Sequence, residues 1–192
     1  MTTVNGLPAH ILLVHAVVVL VPLTAVVLLL VALWPAARPR LAVVGGVLAV
    51  VTLVSVPLTT DAGEWLERRL PSTPLLQQHT QLGDYLLPWA IGLAVIGVAL
   101  AAREVLAGRR ARAARTEGPG AAVASHAARP RSASAPGGVV LTVVLAVLTV
   151  VVAVGSVTTT YEIGDSGARA AWTGKFSPTP LPRPPHPAGD EG

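Results

Sequence analysis

The chain has 192 residues, 52% of them apolar and only 12% charged, with a mean hydropathy of +0.63; a soluble domain of this size needs more charge to cover its surface. Fourteen basic residues outnumber ten acidic ones, but they gather beside apolar stretches, and the basic segment lacks aromatic side chains for base stacking, which argues against nucleic acid. Cysteine is absent, which excludes disulfides, thiolate zinc sites, cysteine-ligated iron–sulfur clusters and covalently attached c-type haem.

Residues 1–37 contain no Asp, Glu, Lys or Arg. The first apolar span covers about 7–34. It is too long for a signal-peptide core and has no basic residue ahead of it, so it reads as retained. Pro22 should kink it, a defect that membrane helices tolerate when neighbours satisfy the freed carbonyl. Trp34 fits an interfacial anchor, and Arg38 and Arg40 follow it. The second span, about 41–60, is uncharged and ends at Asp61, with Glu64 and Glu67 beyond. In the polar connection 61–78, the segment Glu64–Leu70 reads as a short amphipathic helix at the interface.

The third span covers about 79–102, with its helix starting near Gln77 or His79. The linker 103–138 carries seven arginines against two glutamates and is rich in Ala, Gly, Ser and Pro. It reads as disordered, with the third helix extending to about Arg115. The fourth span, about 139–158, has ten valines between Val139 and Val157. In water that run would read as strand, but an open strand in lipid leaves its backbone unsatisfied, so helix wins. Beyond Ala171 the segment 172–192 holds six prolines between Pro178 and Pro187 and should be extended and mobile.

A hydrocarbon core of about 30 Å needs about 20 apolar residues per helix, and each segment comes close to that. The predicted fold class is therefore all-α: an integral membrane bundle of four transmembrane helices over 1–171, with a disordered basic linker inside it and a Pro-rich tail. Orientation follows from the arginines. Arg38, Arg40 and the seven between 103 and 138 place both termini outside and the Arg-rich linker in the cytoplasm. Thirteen of the 14 basic residues are arginine, which together with abundant Ala, Val and Gly fits a bacterial, GC-rich genome and its cytoplasmic membrane.

With that topology most ionisable residues near a span lie at the outer ends. His15 is 23 residues from Arg38 and His79 is 24 from Arg103, which puts both about 35 Å above the arginines at 1.5 Å per residue. Glu64 and Glu162 reach the same height, with His10, Asp61, Asp84 and Asp165 nearby. Two imidazoles facing each other across a bundle can ligate haem iron. Two histidines with one or two carboxylates suit a divalent metal. Alternating histidines and carboxylates can relay protons. His15, inside LLVHAVVV, needs a partner most, because an unpaired ring in lipid is costly. His15 and His79 are therefore the candidate cofactor ligands, supported by His10, Asp61, Glu64, Asp84 and Glu162, with haem b or a divalent metal as the candidate group.

The bland alternative is that these residues meet interfacial water and headgroups. His126 and His186 sit in segments read as flexible and solvated. Gly45, Gly46, Gly92 and Gly97 read as close helix packing. Ser156 and Thr158–Thr160 can bond across helices at the outer end. Ser156 lacks a base, and no phosphate loop, zinc-protease or hydrolase motif is present, so nothing points to an enzyme.

The opening GLPAHILLVHAVVVLVPL, DAGEW after the second span, His79 at the start of the third, and YEIGDSG at the end of the fourth resemble a bacterial family of four-helix membrane proteins catalogued as domain of unknown function 2231. The resemblance covers roughly 5–170, with His10 and His15 at the family's histidine positions. Ala16 and Val17 stand where the family often has Phe-Pro. Some relatives are joined to Rieske-type or cytochrome-type modules, so the resemblance implies a place near electron transfer, with other membrane or electron-transfer proteins as partners. Two classes stay open: a cofactor-holding redox or accessory protein, and a non-catalytic membrane subunit or scaffold.

The arginine asymmetry makes the first prediction. Cysteines introduced as Ser125→Cys and Ser177→Cys label from opposite sides of the membrane in intact cells; labelling of Ser125→Cys from outside would overturn the topology.

Overall fold

The computed structural model describes residues 3–116, 136–177 and 179–182. It is all-helical apart from a two-residue hairpin. Strands β1 (Thr3–Val4) and β2 (Leu7–Pro8) pair antiparallel around Asn5-Gly6. Both turn residues have positive φ, 50° and 80°, the backbone that an Asn-Gly hairpin turn favours. Among the described residues five helices follow: α1 (Ala9–Leu33), α2 (Arg38–Glu67), α3 (Pro74–Asp84), α4 (Leu86–Thr116) and α5 (Pro136–Trp172).

The predicted spans fall on α1, α2, α4 and α5, but several boundaries move. The first helix starts at Ala9, after the hairpin. The second does not stop at Thr60, because α2 continues through Glu67; residues 64–67 are its last turn rather than a separate surface helix. The third begins at Pro74. The Thr73 hydroxyl accepts from the Leu76 N–H at 3.2 Å, an N-cap followed by Pro at the first helical position. A single turn residue, Tyr85, whose backbone stays in the right-handed helical region, separates this segment from α4, so His79 stands on α3. Helix α4 reaches Thr116, close to the expected extension to about Arg115, and α5 reaches Trp172, past the predicted end at about 158. The expected disorder at 117–135 and most of the tail expectation lie outside the described residues.

Helices α1, α2, α4 and α5 are each long and apolar enough to cross a membrane; α3 and α4 form one such candidate span together, Pro74–Arg115. They close into a ring in the order α1, α2, α4, α5, and α1 and α4 also meet across the diagonal. Helix α3 lies on the end of α5. One end of the bundle therefore carries the histidines, and the other carries Arg38, Arg40 and Arg103.

Large side chains such as Leu28, Leu93 and Ile96 fill part of the core, but the contact between α2 and α4 is built from small residues. Ala42, Gly45, Gly46, Ala49 and Thr52 recur at helical spacing on the buried side of α2. A Cβ on Gly97 would sit 2.7 Å from the Ala49 Cβ and 3.3 Å from the Gly45 carbonyl oxygen. One on Gly46 would sit 2.9 Å from the Ala101 Cβ. Helices α2 and α4 thus touch nearly backbone to backbone, the packing that small residues permit in lipid. Val47, Val51, Val54, Val95, Val98, Val147, Val151 and Val154 face outward and are exposed.

Polar side chains are held inside. Thr24 and Thr52 are fully buried and share a hydrogen bond of 2.8 Å between α1 and α2. On α5, Thr149, Ser156 and Thr160 donate to Leu145, Ala153 and Ser156 carbonyls of their own helix; Thr158 does likewise. The expected cross-helix bonds from Ser156–Thr160 therefore give way to local ones. A hydroxyl one turn from a helical carbonyl finds it without any tertiary ordering. Arg38 closes the C-terminus of α1, donating from Nε to Val31 O (3.0 Å) and from Nη2 to Ala32 O (2.9 Å), where a cation also suits the helix dipole.

The glycine seam predicts a contrast on one helix. Gly97→Ala overpacks the α2–α4 contact and lowers stability by about 1–3 kcal/mol. Gly108→Ala, where an added Cβ meets nothing within 4 Å, raises it by about 0.5–1 kcal/mol through helix propensity. Unfolding of both variants in detergent micelles measures the difference.

Candidate functional site

The histidine pair that forms at the end of the bundle is His10 with His79. Their ring centroids lie 6.4 Å apart with planes inclined by 73°. His10 comes from the first turn of α1 and His79 from the middle of α3. Each Nδ1 is held by the chain. The His10 Nδ1–H donates to the Thr59 carbonyl on α2 at 3.0 Å. The Ser166 hydroxyl donates to Ile163 O at 2.9 Å, so its oxygen accepts from the His79 Nδ1–H at 3.1 Å. These bonds fix the tautomers. In the neutral rings this leaves the lone pair on each Nε2. Among the described residues the side-chain hydrogen bonds of both rings run to Nδ1, and the Ile163 carbonyl also lies beside the His79 ring.

Two glycines make room for the rings. A Cβ on Gly63 would stand 3.0 Å from His10 Nδ1 and Cε1, and one on Gly167 would stand 2.9 Å from His79 Cε1. Each imidazole thus lies against the backbone of a neighbouring helix, α2 or α5. Gly63 belongs to DAGEW, while Ser166 and Gly167 close YEIGDSG. About three turns down α5, Gly155 leaves space for the Trp89 indole.

The structure does not bring His15 to this pair. His15 is exposed on the outer face of α1, and its Nδ1–H donates to the Ile11 carbonyl one turn back. It is five residues from His10, about 140° around the helix at 100° per residue, so the two rings face different sides. Residue counting gives height and not direction, and that is where the His15–His79 pairing fails. A usable signal existed in Thr24. A polar side chain in an apolar span turns toward protein, and two heptads back from Thr24 is His10.

The supporting carboxylates also disperse. Glu64 pairs with Arg68 at 3.5 Å and Asp165 with Arg169 at 2.9 Å, both exposed (i, i+4) pairs of small energetic weight. Asp84 and Glu162 are exposed. Asp61 lines a mostly apolar groove with Val4, Leu12, Leu58, Trp65 and Arg68. Glu67, which the sequence did not single out, accepts from the Thr80 hydroxyl at 3.4 Å, one residue from His79. Among the described residues no three of His, Asp or Glu converge as a metal site requires. The expected set of two histidines with one or two carboxylates therefore does not assemble.

Comparison of the chain with family models, with curated proteins and with solved structures finds no match.

The geometry predicts which cysteines meet. The pair His10→Cys and His79→Cys is captured within one chain by a short bifunctional maleimide. The pair His15→Cys and His79→Cys is not captured under the same conditions. Equal capture of both pairs would remove the site.

Proposed function

We propose that the chain is a multi-pass protein of a bacterial cytoplasmic membrane, with both termini outside. In this reading it is an accessory protein that holds a haem between His10 and His79 at the outer end of its bundle. The observation that carries the reading is the pair itself: two imidazoles from different helices, each with Nδ1–H anchored and Nε2 open. Ligating histidines have this arrangement, because the second hydrogen bond sets tautomer and ring direction. The membrane placement draws on the outward valines and leucines, which water would disfavour and hydrocarbon accepts.

The donor set decides between groups. A bare divalent ion needs more ligands than two imidazoles supply. Haem iron takes four from its own macrocycle and two from the protein, and helical bundles house such groups between facing helices. When bound, haem would supply one-electron transfer. The chain's own work is to hold and aim: Thr59 O fixes His10, Ser166 fixes His79, and Gly63 and Gly167 let both rings approach. The resemblance to domain of unknown function 2231 points the same way, toward partners in electron transfer.

A second reading has its own observation. Gly63 and Gly167 let the imidazoles approach the backbones of α2 and α5, so the pair also serves as a clasp joining α1 and α2 to α3 and α5. A scaffold or non-catalytic subunit needs no more than that.

An absorption spectrum separates the two. Protein purified from membranes after haem supplementation shows a Soret band; His10→Ala and His79→Ala lose it, and His15→Ala keeps it. Circular dichroism checks that the variants stay helical. A colourless, folded wild type would leave the clasp alone standing.

A further inference from the structure

At the opposite end, a cavity of about 170 Å³ opens between α1, α2 and α4, lined by Val31, Arg38, Ala42, Leu100, Arg103 and Glu104, with Ala107 at its edge. Its floor is apolar and its rim is charged. Arg38 is half-buried and anchored to the α1 carbonyls through Nε and Nη2. Arg103 is tethered through Nη2 to the Thr142 hydroxyl at 3.2 Å. Two guanidinium groups from different helices are thus held in place at one opening. Among the described residues neither is paired with a carboxylate, even though Glu104 lines the same cavity. The N-terminus of α2 begins here, at Arg38, and its dipole is offset by the C-terminal carbonyls of α1 that Arg38 caps, so the positive charge of the opening is that of the two guanidinium groups.

We infer that this cavity binds the phosphate of an anionic membrane phospholipid, with the first methylenes of its acyl chains on Val31, Ala42 and Leu100. A single water needs about 10–15 Å³ of such space, so a phosphate fits. Guanidinium is suited to phosphate oxygens through paired N–H donors. Basic pockets between membrane helices take anionic headgroups for this reason. The two arginines against one glutamate leave a net positive rim, which a phosphodiester neutralises and a zwitterionic lipid does not. The apolar floor sets a lipid apart from free phosphate as the occupant. The inference rests on the membrane placement proposed above and not on the histidine pair. Recovery of the protein in the membrane fraction tests that placement separately.

The test uses the full chain in vesicles of phosphatidylcholine with and without phosphatidylglycerol, followed by detergent extraction and native mass spectrometry of retained lipid. The wild type retains phosphatidylglycerol in preference to phosphatidylcholine. Arg103→Gln weakens that preference about fivefold, the effect of one arginine near an anionic surface. Glu104→Gln strengthens it. Arg109→Gln, on the far side of α4 with the same loss of charge, leaves it unchanged. Equal retention of the two lipids would overturn the site, and so would equal losses in Arg103→Gln and Arg109→Gln. Thermal stabilisation by inorganic phosphate equal to that by phosphatidylglycerol would overturn the lipid assignment.

Discussion

Inside so apolar a bundle a polar group can find a partner only in the protein, and the rest of the structure is arranged around that constraint. Backbone groups are satisfied within helices, which removes strand as an option for the valine-rich α5. Hydroxyls on α5 turn to carbonyls of their own helix. Thr24 and Thr52 satisfy each other across α1 and α2. Each imidazole of the His10–His79 pair has one nitrogen tied to a neighbouring helix. Among the described residues no buried side-chain nitrogen or oxygen is without a partner.

Satisfying polar groups does not by itself hold helices together when the surroundings are as apolar as the interior. Close contact does, and the glycines make it possible. The Gly45–Gly46 face of α2 meets Gly97 and Ala101 of α4 so closely that a single added methyl would collide. Along that seam large side chains are absent, and many valines of α2 and α4 point outward instead. Dispersion over a short interhelical distance takes the role that burial from water has in a soluble core.

The same device shapes both ends. At one end Gly63 and Gly167 admit imidazoles against helix backbones. At the other, Ala42 and Ala107 leave a cavity that large side chains would fill. The two ends differ in charge because their cations differ in company. Arg68 and Arg169 have carboxylates one turn away on their own helices, whereas Arg38 and Arg103 are bound to carbonyl and hydroxyl oxygens and, among the described residues, form no ion pair.

The charge-free runs alone determined that four long apolar helices form and roughly where each lies, because length and hydropathy are additive along the chain and need no knowledge of neighbours. The small residues at 45, 46 and 97 likewise announced close packing. Direction around each helix was a different matter. In a span as uniformly apolar as α1 no amphipathic stripe marks the inner face, so His10 and His15 looked alike from the sequence, and the more deeply placed one drew the assignment. Only the tertiary structure decided between them. The rotation of α1 against α2 sets His10 beside the Thr59 carbonyl, and the packing of α3 on α5 sets His79 beside Ser166. Those orientations come from how surfaces fit together, a property that no single segment carries.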